Sequence, residues 1–148
     1  MTHTMHKTYS NYPCAHRQWR DSGHCAYVHG YSRSFTFTFE AAKLDECGWV
    51  LGFQHLQPVK AHLDYMFDHT LLLNVDDPLL EHFALLEGLG AAAIRIMNNV
   101  SMEGTATHLF EFVNNWIATE PTFVERGVRC VAVEARENDK NAARYTHG

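Results

Sequence analysis

Histidine and cysteine side chains are concentrated near the start of the chain. Cys14 and His16 stand two residues apart, and Cys25, His29 and Tyr31 follow closely. Imidazole nitrogen suits zinc and other borderline divalent metals, and a thiolate is both a metal ligand and a base. These residue types therefore predict a site that binds a metal, moves protons, or does both.

Strand geometry can bring these side chains together. The segment after Gly30 alternates strictly, and one of its faces carries Tyr31, Arg33, Phe35, Phe37 and Phe39. Every second side chain of a strand points to the same face, so His29 joins that face if the strand already holds there. The same parity places Cys14 beside His16. We therefore expect two strands to present His16 and His29 to a common point.

Three strands are predicted along the chain. They cover residues 4–16, 31–42 and 127–137. A polar, glycine-containing loop joins the first two, which favours an antiparallel pair. The last strand is expected to place Val128, Cys130, Ala132 and Glu134 on one face. A carboxylate at the end of an otherwise apolar face is unusual, so Glu134 is a candidate for function.

Apolar residues at spacings of three and four predict two main helices. One stripe runs from Phe53 to Phe67, and because Pro58 removes a backbone donor, we expect either a kink there or a helix that begins properly near Gln57. The second helix begins after Ser101. Shorter elements are predicted as a helix-to-loop junction over 71–74, a helix over 79–89 and an extended segment over 92–97.

The composition predicts one domain over residues 1–148. The hydrophobic share of 46% is sufficient for one sizeable core. The net charge is -5 and the twelve Lys and Arg are scattered, which argues against nucleic-acid binding. Four irregularly spaced cysteines argue against a disulfide framework. Without a long apolar run or a signal-like segment, we expect a soluble, cytoplasmic protein that binds no membrane.

Six short motifs stand along the chain in a characteristic order. They are Cys14-Ala15-His16, Cys25 before His29-Gly30-Tyr31, Gly48-Trp49-Val50-Leu51-Gly52-Phe53, Phe67-Asp68-His69 with Leu73-Asn74, Glu103-Gly104-Thr105, and Cys130-Val131-Ala132-Val133-Glu134-Ala135. Together they resemble the 6-pyruvoyl tetrahydropterin synthase family, which includes the bacterial 6-carboxytetrahydropterin synthases of the queuosine pathway. The likeness covers most of the chain, and the combined order and spacing make it fairly specific.

The resemblance implies an α+β tunnelling fold. In that fold an antiparallel four-stranded sheet carries two main helices on one face, and the sheets of several subunits close into a barrel. Closure would also remove open edge strands and cover the phenylalanine-rich face. We therefore expect a homo-oligomer, specifically a homohexamer built as a dimer of trimers, with active sites between subunits.

The resemblance also implies a Zn²⁺ ion held by three histidines. His16 and His29 match two of these ligands, and Tyr31 stands at the position of the third. A phenol must lose its proton to bind zinc, whereas a thiolate is a softer and better donor. Cys14, two residues before His16, is therefore an alternative third ligand to Tyr31.

Catalytic and substrate-binding residues follow from the same resemblance. Cys25 matches the catalytic base, and Asp68 with His69 matches the pair that activates it from a neighbouring subunit. In chemical terms, the carboxylate orients the imidazole, which takes the proton of the thiol so that the resulting thiolate can act as a base near neutral pH. Glu134 matches the carboxylate that grips the pyrimidine edge of a pterin. The substrate-binding candidates are Glu134, Glu103 and Thr105.

Two functions from different classes fit these residues. The first is a metal-dependent pterin lyase acting on 7,8-dihydroneopterin triphosphate, for which the nearest cations in sequence are Arg17, Arg20 and Arg33. The second is a repurposed tunnelling-fold protein that binds a pterin or purine without turning it over. Departures from the family pattern at Tyr31, Gly52 and Thr107 favour the second function. The residues that favour the enzyme are Cys25, Asp68, His69 and Glu134.

Overall fold

The sheet of the computed structural model, which describes residues 2–147, has six strands. They are β1 (His3–His16), β2 (His29–Ala41), β3 (Leu71–Asn74), β4 (Ile94–Met97), β5 (Arg129–Arg136) and β6 (Ala142–Thr146). Their order is β4-β3-β1-β2-β5-β6. The pairs β1–β2, β2–β5 and β5–β6 are antiparallel, and the pairs β1–β3 and β3–β4 are parallel. The α+β class is as expected, but the predicted four-stranded antiparallel sheet is wrong because the sheet is larger and mixed.

The pairing of β1 with β2 sets the register of the predicted site. His16 lies opposite His29, and Cys14 lies opposite Tyr31. A bulge interrupts the pairing between Tyr9 and Tyr12, where the intervening Asn11 takes a left-handed conformation with φ 67°. After this bulge Tyr12, Cys14 and His16 are buried on one face, as the sequence parity predicts.

The phenylalanines of β2 form the centre of the core. Phe35, Phe37 and Phe39 are each 0% exposed, and the ring of Phe35 lies 4.8 Å from that of Phe67. Two helices of the same chain supply the facing core side chains, α1 (Gln57–Phe67) and α3 (Met102–Ile117). The phenylalanine face therefore needs no partner subunit to cover it, contrary to part of the argument for an oligomer.

The helix starts agree with the sequence. α1 begins at Gln57 with Pro58 in its first turn, after a 3₁₀ turn over Phe53–Leu56. Ser101 caps α3 by accepting a hydrogen bond from the backbone N–H of Gly104 at 3.0 Å. Two shorter helices are α2 (Leu80–Gly88) and α4 (Pro121–Glu125), of which α4 was not predicted. Within residues 2–147, no helix combines the length and apolar character needed to cross a bilayer.

Two of the strands were missed by the sequence reasoning. The predicted junction over 71–74 is β3, which is buried throughout and lies parallel to β1. β6 follows the predicted last strand and pairs antiparallel with it, placing Arg144 opposite Glu134. β3 lies beside the end of β1 that carries His16, and β6 forms the edge of the sheet next to β5.

A bulge in β5 at Val131 overturns the predicted face of that strand. Val131 is passed over in the pairing with β2, because Cys130 pairs with Phe39 and Ala132 with the preceding Thr38. Cys130 and Val133 consequently both lie in the core. Glu134 therefore does not end the face that carries Cys130, but lies half exposed on the opposite side of the sheet.

Candidate active site

An open cavity of about 350 Å³ lies at the end of the sheet, where β1 ends, β2 begins and β5 turns into β6. Five predicted site residues line it: His16, Cys25, His29, Tyr31 and Glu103. The volume is within the range of small-molecule sites. A larger hollow of about 500 Å³ lies beside Trp49 and Phe53, but His3 is the only titratable side chain in its lining. Acid–base chemistry is therefore better placed in the first cavity.

The two predicted metal-binding histidines meet across the β1–β2 pair. The ring centroids of His16 and His29 are 4.4 Å apart. Nδ1 of His29 lies 2.6 Å from the backbone carbonyl of Tyr27, which can only accept a hydrogen bond. His29 therefore carries its proton on Nδ1 and leaves a lone pair on Nε2.

His16 has the opposite arrangement. Nη2 of Arg33 donates a hydrogen bond to its Nδ1 at 2.8 Å. A guanidinium has only donors, so Nδ1 must be the unprotonated nitrogen and the neutral ring carries its proton on Nε2. Burial, then the charge of Arg33 and then His29, lower the pKa of His16 to about 3, so this ring is neutral at physiological pH.

This hydrogen bond is incompatible with the predicted Zn²⁺ ion. A neutral histidine that binds zinc through Nε2 carries its proton on Nδ1 and donates it to an acceptor. In His16 that proton would face an N–H of Arg33, and the metal charge would lie close to a buried guanidinium. His16, His29 and Tyr31 do not fit a zinc site in this arrangement.

Replacing Tyr31 by Cys14 does not repair the ligand set. Cys14 is buried, and burial raises the pKa of its thiol and so opposes the thiolate that zinc requires. In the part of the chain that the structure describes, no three or more His, Cys, Asp and Glu side chains are grouped to hold a metal ion. The donor groups present in this arrangement therefore do not fit the predicted zinc site.

Cys25 is accessible to a molecule in the cavity. It lies in a 3₁₀ turn over His24–Ala26 and is a free, exposed thiol. A backbone hydrogen bond of 2.8 Å from the N–H of Gln18 to the carbonyl of Cys25 ties this turn to the end of β1. The structure therefore holds the predicted base beside His16 and His29.

Asp68 and His69 form the predicted pair, but not within this cavity. Nδ1 of His69 lies 2.6 Å from Oδ1 of Asp68, which leaves Nε2 free to exchange a proton. The His69 side chain is 81% exposed and its backbone is left-handed, with φ 58°. Its N–H donates to the carbonyl of Pro13 at 2.7 Å and so fixes this conformation. Neither residue lines the cavity that contains Cys25.

The predicted substrate-binding residues are dispersed. Glu103 lines the cavity from the first turn of α3. Thr105 is 0% exposed, and its hydroxyl has no hydrogen-bond partner among residues 2–147. Glu134 accepts a hydrogen bond from Nη2 of Arg136 at 2.7 Å and does not line the cavity. Only Glu103 of these three residues can contact a ligand in the cavity of a single chain.

Sequence reasoning missed two acidic residues of the lining. Asp21 comes from the loop before Cys25, and Glu137 comes from the turn between β5 and β6. Recognising β6 would have located Glu137. Among residues 2–147, no Lys or Arg lines the cavity, and the predicted cations make other contacts. Arg17 pairs with Asp77, Arg20 pairs with Asp76, and Arg33 is buried against His16.

Solved structures with this fold define the class of protein. An uncharacterized protein from Wolinella succinogenes superposes with a TM-score of 0.83 at 23% identity, covering 100% of this chain and 99% of that one. A 6-pyruvoyl tetrahydropterin synthase from Plasmodium vivax gives a TM-score of 0.71 at 12% identity, covering 99% and 98%. At these identities the likeness establishes a tetrahydropterin synthase-like fold.

Sequence comparison establishes the family. The model of the 6-pyruvoyl tetrahydropterin synthase family matches residues 5–148, and the chain belongs to this family of lyases. A 6-carboxy-5,6,7,8-tetrahydropterin synthase from Rickettsia felis is 33% identical over 106 residues, covering 65% of this chain and 75% of the relative. One with the same name from Rickettsia bellii is 30% identical over 105 residues, covering the same shares.

Proposed function

We propose that this protein is a pterin lyase that acts on the side chain of a 7,8-dihydroneopterin, with 7,8-dihydroneopterin triphosphate as its candidate substrate. The observation that carries the proposal is the placement of Cys25, His16 and His29 around one cavity in a chain of this family. Relatives named 6-carboxy-5,6,7,8-tetrahydropterin synthase favour a carboxy product over a pyruvoyl one.

The proposed chemistry is proton transfer at the substrate side chain. Breaking a bond beside a hydroxyl-bearing carbon requires a base for the proton on carbon or oxygen and a group that polarises the oxygen. Cys25, as thiolate, is the base because its thiol is free and exposed at the cavity. Cavity histidines are the polarising groups, which makes proton transfer and hydrogen bonding the core of the mechanism.

The Asp68–His69 pair is proposed to serve a neighbouring subunit. Asp68 holds the His69 ring in the tautomer whose Nε2 can accept a proton, yet the pair lies outside this chain's own cavity. If subunits assemble, the exposed Asp68–His69 pair of one chain can lie next to Cys25 in the cavity of another. We therefore propose a homohexamer in which His69 of one chain accepts the proton of Cys25 in the next.

Two carboxylates are proposed to hold the pterin. A carboxylate can accept two N–H donors of a pyrimidine edge, which fixes the ring plane. Glu103 is placed for contact within the cavity, and Glu134 lies on the open face of the sheet, where a neighbouring subunit can bring a second cavity. Thr105 has no place in this contact because it is enclosed in the core.

Turnover of 7,8-dihydroneopterin triphosphate, with product masses recorded, tests the proposal. Wild type should consume the substrate, Cys25→Ala should lose at least about 100-fold in kcat/KM, and Cys47→Ala should be unaffected. Cys47 is a matched control because it is also free and exposed but does not line the cavity. A parallel assay with unphosphorylated dihydroneopterin is informative because the described part of the chain contributes no Lys or Arg to the lining. Tight pterin binding without any product would instead favour the repurposed binding protein.

A further inference from the structure

Arg33 is a buried cation with few partners. It is 0% exposed, and its Nε and Nη1 have no hydrogen-bond partner within residues 2–147. Its one side-chain hydrogen bond there is the donation from Nη2 to His16. Burying a guanidinium with unsatisfied donors is costly, and an unsatisfied group of this kind requires a functional or structural explanation. Arg33 does not line the cavity, and its hydrogen-bonded contact with the cavity lining is through His16.

The hydrogen bond from Arg33 makes the two cavity histidines complementary. It assigns the His16 proton to Nε2, whereas the Tyr27 carbonyl assigns the His29 proton to Nδ1. His16 thus offers an N–H donor and His29 a lone pair, on rings 4.4 Å apart. A hydroxyl group satisfies both, since its oxygen accepts from His16 while its proton is donated to His29. Donation from a cation to Nδ1 also polarises the ring and strengthens Nε2–H as a donor.

We propose that His16 and His29 bind a substrate hydroxyl directly, without zinc, and that Arg33 is the positioning residue that fixes His16 as the donor. The inference rests on the proposed function for one point only, that the hydroxyl belongs to a dihydropterin side chain. A buried, fixed charge behind His16 takes over the task of polarising that oxygen. The same charge opposes a divalent cation at Nε2, both by repulsion and by holding the Nδ1 lone pair.

The affinity for Zn²⁺ distinguishes a histidine pair that binds a hydroxyl directly from a zinc site. The test is isothermal titration with Zn²⁺ of wild type, Tyr31→His, Arg33→Met and the double variant, each checked for folding by circular dichroism. Tyr31→His restores an imidazole but leaves Arg33 in place, so it should remain weak. The double variant removes both obstacles and should bind one zinc at least about 100-fold more tightly than either single variant. Arg33→Lys keeps a donor and a charge, so combining it with Tyr31→His should give no such gain.

Tight zinc binding by wild type, or by Tyr31→His alone as strongly as by the double variant, would overturn the inference. If Arg33→Met does not fold, the wild-type titration and the Arg33→Lys series still decide. Neither outcome depends on pterin turnover. Failure of the enzyme assay with the zinc pattern intact would therefore refute the proposed function, whereas normal turnover with tight wild-type zinc binding would refute only this inference.

Nitrogen-15 NMR of the wild-type protein shows directly which ring nitrogen of His16 and of His29 carries the proton. His16 should show a protonated Nε2 and an unprotonated Nδ1, and His29 the reverse, with both signals assigned from His16→Gln and His29→Gln samples. Adding equimolar Zn²⁺ should leave the His16 signals in place. A proton on Nδ1 of His16, or a zinc-dependent shift of its Nε2, would contradict the role given to Arg33.

Discussion

His16 and Arg33 are joined by a 2.8 Å hydrogen bond from Nη2 to Nδ1, and both side chains are withdrawn from solvent. The two residues stand on neighbouring strands, so the pairing of β1 with β2 determines their contact. This bond decides which nitrogen of His16 faces a ligand. The chemistry of the cavity therefore depends on a residue that the ligand does not touch.

The first prediction concerns the stability cost of this arrangement. Arg33→Met replaces a buried, poorly satisfied cation by a flexible, shorter apolar side chain, so the free energy of unfolding should rise by about 1–3 kcal/mol. Urea unfolding with a constant m-value measures the change. Arg33→Lys is the control and should bring no such gain. A loss of more than about 2 kcal/mol in Arg33→Met would show that the guanidinium stabilises the core.

The second prediction concerns complementation between subunits. Cys25→Ala and His69→Ala should each be inactive alone, since each removes one half of the proposed proton-transfer pair. If the halves come from different chains, random co-assembly of equal amounts should restore about a quarter of the wild-type sites, because each half is intact with even odds. Activity after co-refolding the two variants measures this. No recovery, with mixed oligomers demonstrated by mass spectrometry, would place both groups in one chain.

The third prediction concerns the pH dependence of stability. His62 on α1 and His108 on α3 bring their Nε2 atoms within 2.9 Å, and the His62 ring stacks on Phe112. Burial and His108 lower the pKa of His62 from 6.5 to about 4. Because His62 binds its proton more weakly in the folded state, its stabilising contribution is complete above pH 6.5 and is lost as the pH falls towards 4.

Urea unfolding at several pH values tests this pair. His62→Gln should reduce the decline in stability between pH 6.5 and 4, and exposed His82→Gln should leave the decline unchanged. Equal slopes for wild type and His62→Gln would rule out this pair as the source of the acid sensitivity.

The fourth prediction concerns assembly. The phenylalanine face is covered within the chain, but β4 and β6 form the two edges of the sheet and remain open to pairing. With the cavity and the Asp68–His69 pair separated in one chain, a homohexamer is expected. Sedimentation velocity at micromolar concentration should give the hexamer mass, and a monomer would contradict both the assembly and the shared site.

The placement of His16, Cys25 and His29 at one cavity agrees with the sequence reasoning for a physical reason. Strand parity is local, so Cys14 and His16 share a face, and the phenylalanines of β2 fix which face is buried. Cys25 lies in the loop that joins these two paired strands, so it stays near the strand ends that carry His16 and His29. The positions of residues on or next to these two strands could therefore be predicted from the alternation of the sequence.

The remaining features depend on long-range pairing. Parity cannot detect an inserted residue, so the bulge at Val131 moved Glu134 to the other side of the sheet. A four-residue apolar run such as β3 is ambiguous between strand and helix without its neighbours, and β6 has little apolar alternation. The contact between Arg33 and His16 required side-chain positions that residue spacing does not specify.

The most direct test of the account is turnover of 7,8-dihydroneopterin triphosphate by wild type stripped with 1,10-phenanthroline, with residual zinc measured by mass spectrometry on the same sample. A pterin lyase that binds its substrate hydroxyl through His16 and His29 should keep its full rate at far less than one zinc per chain, and added Zn²⁺ should not raise that rate. Absence of turnover in the stripped protein followed by recovery on adding Zn²⁺ would contradict the account.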